Sequence, residues 1–354
     1  MAYELLGKNF TPPDLHAKVT GKAKYAEDIR VEGMVFVKLL TSPMPHARVT
    51  SVDDSAAIAM PGVHGVLRAS EVSNPPAPQE TILTDEPLFV GHPILAVAAD
   101  TEELASDALE KIKVTYEELP FTVDPLQSLY PGGPDARTNG NVTNPGIDLK
   151  SFKWTAQDFA AVQEGQLPQG EPATQWSFGD LDAGFQKAKL VLDETFVTAG
   201  LGHHSMEPRS ALAYWQNGKC YLYGSTQSQS FPIPGIARSV GVEPADLVYV
   251  SEFCGGGFGS KGGAYPLMAI PALMSKKIGR PVMMRVSRHE EYFMGSARAG
   301  FQGRIKMGFA ADGRGAAADL YIVQENGPDS GFNDWLSAAE AVSLVYQPPA
   351  MRFR

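Results

Sequence analysis

Apolar and polar positions alternate through residues 30–52, where Val35, Val37 and Leu39 give way to a turn at Ser42-Pro43-Met44-Pro45 and then to Val49 and Val52. That period of two predicts a pair of half-buried strands. Asp53-Asp54-Ser55 offers a cap for a short helix over 56–59, which Pro61-Gly62 ends, and a strand over 63–67 follows. Residues 94–99 break the alternation. Ile94-Leu95-Ala96-Val97-Ala98-Ala99 is continuously apolar, the pattern of a strand covered on both faces. Asp100-Thr101-Glu102-Glu103 supplies an acidic helix start, with Leu104, Ala105, Ala108 and Leu109 on one face, and 113–117 returns as a strand. Residues 1–127 read as a self-contained α/β unit.

Residues 128–178 carry Pro131-Gly132-Gly133-Pro134, Asn139-Gly140-Asn141, Asn144-Pro145-Gly146 and Pro168-Gln169-Gly170. This turn chemistry predicts a surface connector or insertion, which Phe152, Trp154, Phe159 and Trp176 tie down on something. From Gly179 the periodic pattern returns. Asp180-Leu181-Asp182-Ala183-Gly184-Phe185 opens a helix, and strands are expected over 190–198, 219–224, 247–250, 282–286, 303–309 and 316–323. A buried helix is expected over 264–278. Pro266 suits its first turn, whereas Pro271 predicts a lost hydrogen bond and a kink. No repeat of solenoid period is present. The fold class is therefore mixed α+β, and 354 residues suggest two or three domains.

Composition narrows the function. Apolar residues at 44% and charged residues at 20% describe a soluble globular chain. A net charge of −10, with no Lys/Arg run longer than two, excludes a non-specific nucleic-acid binder. The two cysteines, Cys220 and Cys254, form no C-x-x-C pair, which excludes a disulfide framework and an iron–sulfur cluster held by this chain alone. Met1-Ala2-Tyr3-Glu4-Leu5-Leu6-Gly7 has no basic-then-apolar leader, and no window approaches ~18 apolar residues, so a cytoplasmic protein without a membrane span is expected.

The strongest chemical signal is Phe253-Cys254-Gly255-Gly256-Gly257-Phe258-Gly259-Ser260-Lys261. Three consecutive glycines let another molecule approach bare backbone, and loop N–H groups of this kind bind anions. Ser260 and Gly262 stand where a phosphate loop needs glycine and Ser or Thr. Gly257, Gly259 and Gly262 do match G-x-G-x-x-G, which leaves an NAD-dependent dehydrogenase open, although no acidic residue closes the strand over 282–286. A tight turn would use the same glycines. His203 and His204 are adjacent, so a strand would point them to opposite faces; with no third ligand nearby, no metal is expected on protein side chains. Glu207, extended before Pro208, is placed to orient a loop through backbone N–H groups. Gln227, after Ser225-Thr226, offers both donor and acceptor, though an ordinary turn accounts for it equally.

In order and spacing, Glu207-Pro208, Ser225-Thr226-Gln227, the glycine loop, Arg280-Pro281-Val282 and Arg288-His289-Glu290-Glu291 resemble the large subunit of molybdenum hydroxylases, the xanthine dehydrogenase and aldehyde oxidoreductase family. Residues 14–28 and Ser42-Pro43-Met44-Pro45-His46-Ala47-Arg48 resemble the start of that family's α/β hammerhead domain. The resemblance implies a hammerhead-like domain over 1–127, the connector over 128–178, and the first part of a molybdenum-cofactor-binding domain over 179–354. It implies a molybdopterin cofactor, in the cytosine dinucleotide form, with Gln227, Gly256, Gly257, Phe258 and Gly259 against it and Glu207 in support. Molybdenum would be held by the pterin, with no catalytic residue on this chain. The implied reaction is hydroxylation of an electron-poor carbon in an N-heterocycle, aldehyde or similar small molecule, with water as the oxygen source. Partner subunits would carry 2Fe–2S clusters and FAD. Leu201 stands six residues before Glu207, where several members have glutamine, and Gly262 stands where the purine-oxidising branch has glutamate; the latter points to a non-purine substrate. The family's catalytic glutamate and later pterin-binding segments have no counterpart by Arg354, so a second molybdopterin-binding chain is expected, with apolar surface exposed in its absence. A scaffold subunit without molybdenum is the non-catalytic alternative.

Overall fold

The computed structural model describes residues 4–354 apart from 76–79, 136, 139, 145–146, 326 and 328–333; of 142–150 only the backbone is described. In the first third the strands are β1 (Val35–Thr41), β2 (Ala47–Asp53), β3 (Val63–Arg68), β4 (Pro93–Ala99) and β5 (Lys113–Glu118). The middle holds β6 (Val142–Asn144), β7 (Ile147–Lys150) and β8 (Trp176–Phe178). Then come β9 (Leu190–Thr198), β10 (Leu201–Gly202), β11 (Ala211–Gln216), β12 (Lys219–Gly224), β13 (Leu247–Val250) and β14 (Val282–Met284). The last are β15 (Ala297–Arg298), β16 (Gly300–Phe309), β17 (Gly315–Glu325) and β18 (Met351–Phe353).

Seven strands form one sheet in the order β13-β12-β11-β14-β1-β4-β3. β4 lies inside it and is buried along its whole length, as its unbroken apolar run requires. Ala96 and Ala98 face the core shared with Leu222 and Met274, while Leu95 and Val97 face the core shared with Ala57 and Ala108. Helix Glu102–Leu109 starts where expected, with Thr101 as its cap: the Oγ1 of Thr101 accepts from Leu104 N at 3.1 Å.

The first 127 residues are not self-contained. β1 pairs in parallel with β14, Val35 opposite Val282, so the N-terminal strands and the later ones share one sheet and one core. β2 pairs with β5 instead of folding back on β1. The connector does pack down: Trp154 is buried with Leu129, Leu167 and Tyr321, and its indole N–H donates to Tyr321 Oη at 3.0 Å. Pro271 does not lie in the interior of a helix over 264–278. A 3-10 turn, Pro266–Met268, precedes helix Ala269–Ile278, so Pro271 falls in the first α-helical turn, where the N–H it lacks would have had no intrahelical acceptor. The strand expected over 282–286 is shorter, ending at Met284. A second, five-stranded sheet in the order β8-β18-β17-β16-β9 packs on helix Asp334–Tyr346 and leaves β9 on its edge.

Candidate functional site

The glycine loop, Gln227 and Glu207 gather at one end of the seven-stranded sheet. β12 and β13 run parallel and end there, and β11, antiparallel to β12, begins there. The loop leaves β13, Gln227 follows β12, and Glu207 precedes β11.

Glu207, 7% exposed, ties three segments together. Its Oε2 accepts from Gly255 N at 2.6 Å and from Ser225 Oγ at 2.7 Å, and its Oε1 accepts from Ala26 N at 3.2 Å. A Cβ on Gly255 would lie 2.5 Å from Glu207 Cβ, so the approach depends on glycine. Lys261 is 0% exposed, and burial pushes its pKa down. It donates to Glu207 O, and to Ser225 Oγ at 2.8 Å, with Glu207 Oε2 at 4.0 Å as its counter-charge.

Gln227 Oε1 accepts from Gly259 N at 2.9 Å, and a Cβ on Gly257 would overlap that oxygen. Gln227 is exposed, and its Nε2 donates to nothing among the described residues. The same holds for the backbone N–H groups of Gly256, Gly257 and Phe258. Phe258 sits in the left-handed region at φ 52, a conformation that costs a side-chain-bearing residue ~1–2 kcal/mol, and it is 66% exposed. The loop thus presents unpaired donors and a flat apolar wall, with no Cβ between them at Gly256 and Gly257.

The structure brings Glu207, Gln227 and the glycine loop together, and it adds what sequence reasoning missed, the residues that hold the loop's far side. Arg209, buried, is ion-paired to Glu291 and donates to Ser260 O at 2.8 Å and Ser296 Oγ at 3.2 Å. Arg298 donates to Phe258 O at 2.8 Å. Arg209 stood beside Glu207-Pro208 and could have been flagged; Arg298 lies in a two-residue strand with no pattern to reveal it. The histidines lie in irregular backbone just past β10, not in a strand, with His204 at φ 50, and they meet different partners. His203 Nδ1 lies 2.8 Å from Ser296 O, and His204 meets the Tyr292 ring edge-on. Among the described residues no three His, Cys, Asp or Glu side chains are grouped to hold a metal.

The dinucleotide pattern at Gly257, Gly259 and Gly262 does not open a helix: the first helical turn begins at Pro266, and the loop follows strand β13 by several irregular residues. The helix after it leads to β14, which is separated from β13 by two strands. This is not the compact strand–turn–helix unit that a pyrophosphate site needs.

Known proteins agree with this geometry. Residues 164–354, more than half of the chain, match the family described as molybdopterin cofactor-binding domain. Residues 20–120 match the aldehyde oxidase and xanthine dehydrogenase a/b hammerhead domain. Among curated relatives, a probable xanthine dehydrogenase chain of Bacillus subtilis is 30% identical over 89% of this chain and 39% of its own length. The nicotinate dehydrogenase large molybdopterin subunit of Eubacterium barkeri is 28% identical over 92% of this chain and 71% of its own. In fold, the chain superposes on quinoline 2-oxidoreductase from Pseudomonas putida 86 with a TM-score of 0.79 at 24% identity, covering 98% of this chain and 44% of that one. The chain thus spans less than half of the first of these relatives and of that solved structure. Hammerhead and cofactor-binding domains, in that order and on one shared sheet, make this chain a member of the aldehyde oxidase and xanthine dehydrogenase family of molybdenum hydroxylases.

Proposed function

We propose that the chain forms one wall of a molybdenum–pterin site in an oxidoreductase that hydroxylates an electron-poor carbon of an N-heterocycle or aldehyde, with water as the oxygen source. The observation that carries this is the loop itself: among the described residues the N–H groups of Gly256, Gly257 and Phe258 and the Gln227 Nε2 donate to nothing, and Gly256 and Gly257 carry no Cβ, which suits an oxygen-rich group at close range. When bound, the cofactor supplies Lewis acidity and a sink for electrons. Glu207 fixes the start of the loop, Gln227 its turn at Gly259, and Gly256, Gly257 and Gly259 keep the backbone accessible. Phe258 bounds the site as an apolar wall and excludes water from one side.

Electrons must leave through carriers that two isolated cysteines do not provide, which supports 2Fe–2S and FAD partner subunits and a second stretch of molybdopterin-binding chain. A relative named as a large molybdopterin subunit fits that reading. The cytosine dinucleotide form, the cytoplasmic location and domain limits at 127 and 178 belong to the same proposal, as does a non-purine substrate, favoured by Gly262.

The test is elemental analysis of the native complex captured through this chain. Molybdenum near one per copy, with iron, is expected; Gly257→Ala, which drives a methyl into Gln227 Oε1, should lose most of the molybdenum while circular dichroism is unchanged. Wild-type complex without molybdenum, from cells supplied with molybdate, would leave a scaffold subunit as the reading.

A further inference from the structure

The peptide unit between Phe258 and Gly259 is held at both ends. Its N–H, on Gly259, donates to Gln227 Oε1 at 2.9 Å. Its carbonyl, on Phe258, accepts from Arg298 Nη2 at 2.8 Å. Both holders come close enough only because the loop lacks side chains. A Cβ on Gly257 would overlap Gln227 Oε1, and a Cβ on Gly259 would lie 2.6 Å from Arg298 Nη2. Phe258 has φ 52, a left-handed conformation that a side-chain-bearing residue leaves unless something enforces it, whereas Gly259 adopts its φ of 103 without steric cost.

Arg298 is exposed, and its guanidinium makes no ion pair and no second side-chain hydrogen bond among the described residues. Its backbone is fixed separately. It sits opposite Leu201 in the short antiparallel ribbon of β10 and β15, and Gly300, two residues on, enters the long strand β16. Among the described residues, the one hydrogen bond of this charged side chain, held from another sheet, is therefore to the Phe258 carbonyl, a charge-assisted bond stronger than its neutral counterpart.

We propose that Arg298 is a positioning residue: with Gln227 it forms a two-ended clamp on the Phe258–Gly259 peptide, which sets the direction of the Phe258 ring and of the loop's open N–H groups. The clamp is geometric and requires no bound group, but its value to the reaction rests on the cofactor reading above.

The test is hydrogen–deuterium exchange of the native complex, read on peptides covering 253–263 and separately on 197–204 and 296–303, with molybdenum content measured on the same samples. Losing the carbonyl's donor in Arg298→Ala should speed exchange of the Gly259 amide roughly tenfold, the size of one hydrogen bond in a partly exposed site. The ribbon peptides should be unchanged. Arg298→Lys, which keeps one cationic donor, should recover most of the protection. Gln227→Ala should open the same amide, and the double variant should add little to either single one, since the two side chains hold one peptide. Loop exchange unchanged in Arg298→Ala overturns the clamp. So does equal acceleration of loop and ribbon, which makes Arg298 a general support, or the absence of rescue by lysine. A loop that responds to Arg298 in a complex without molybdenum would sink the cofactor reading and leave the clamp standing; molybdenum bound beside an unresponsive loop would do the reverse.

Discussion

His92 lies buried at the start of β4, stacked on Phe89, with Nδ1 accepting from Leu88 N at 3.1 Å and Nε2 at 2.9 Å from Thr81 Oγ1. Burial holds its pKa down to about 4, with the positive charge of Arg137 adding to the effect. The unfolded chain binds this proton near pH 6.5 and the folded chain only near pH 4, so the fold keeps its full stability above 6.5 and loses it progressively down to 4. The loss is on the order of 3 kcal/mol for a single group. Melting temperatures measured from pH 7 to 4 should fall more steeply for the wild type than for His92→Gln; parallel curves would show that the imidazole is not the titrating group. At this scale much of the candidate site was legible from chain order alone. Glu207, Gln227 and the glycine loop carry turn and proline chemistry that marks them locally. Lys261 and Arg298 were not legible in the same way, because what defines them is a partner far along the chain: Glu207 for one, Phe258 O for the other.

Among the elements, β9 stands out as an unfinished edge. Among the described residues it pairs only with β16, and Leu192, Phe196 and Val197 are 44%, 54% and 67% exposed. An edge strand of nine residues that exposes these apolar side chains is a template for further pairing, with charge on it only at Asp193, which Arg304 pairs, and at Glu194. The chain purified alone should self-associate through it. Leu192→Lys with Phe196→Lys should shift the chain toward monomer in light scattering after size exclusion, without loss of secondary structure; an unchanged oligomer distribution would place the sticky surface elsewhere. Strands with a strong pattern, such as β4 and β9, were readable in the sequence. β11 was missed: Ala211-Leu212-Ala213-Tyr214-Trp215-Gln216 does not alternate in polarity, although the Asn217-Gly218 turn that joins it to β12, with φ 51 and 76, is a two-residue hairpin signal. Helix Ile233–Val240 was hidden by Pro232 and Pro234, which sit at its first turn, where proline is tolerated. The pairing of β2 with β5 depended on a distant partner that periodicity cannot name.

For the molecule as a whole, the β1–β14 pairing joins the two sequence regions in one sheet and one core, which predicts a single cooperative unit. Residues 1–127 expressed alone would lose the parallel partner of β1 and the cover that Met268 and Met274 give the shared core. That fragment should show no cooperative thermal transition, whereas the full chain should melt both regions together. A fragment that melts sharply on its own would show the hammerhead region to be independent despite the shared sheet.

The contact from Ala26 N to Glu207 Oε1 carries a consequence for inheritance and engineering. The carboxylate that steadies the glycine loop is itself steadied by the opening segment of the chain. A chimera that takes its first hundred residues from one relative and its glycine loop from another exchanges half of that joint. Such recombinants should survive where the backbone around residue 26 keeps its course and fail where it shifts, whatever the similarity of the loops themselves. The natural seam for swapping parts in this family would then lie beyond the loop, and the two sequence regions would travel through evolution as a single cassette.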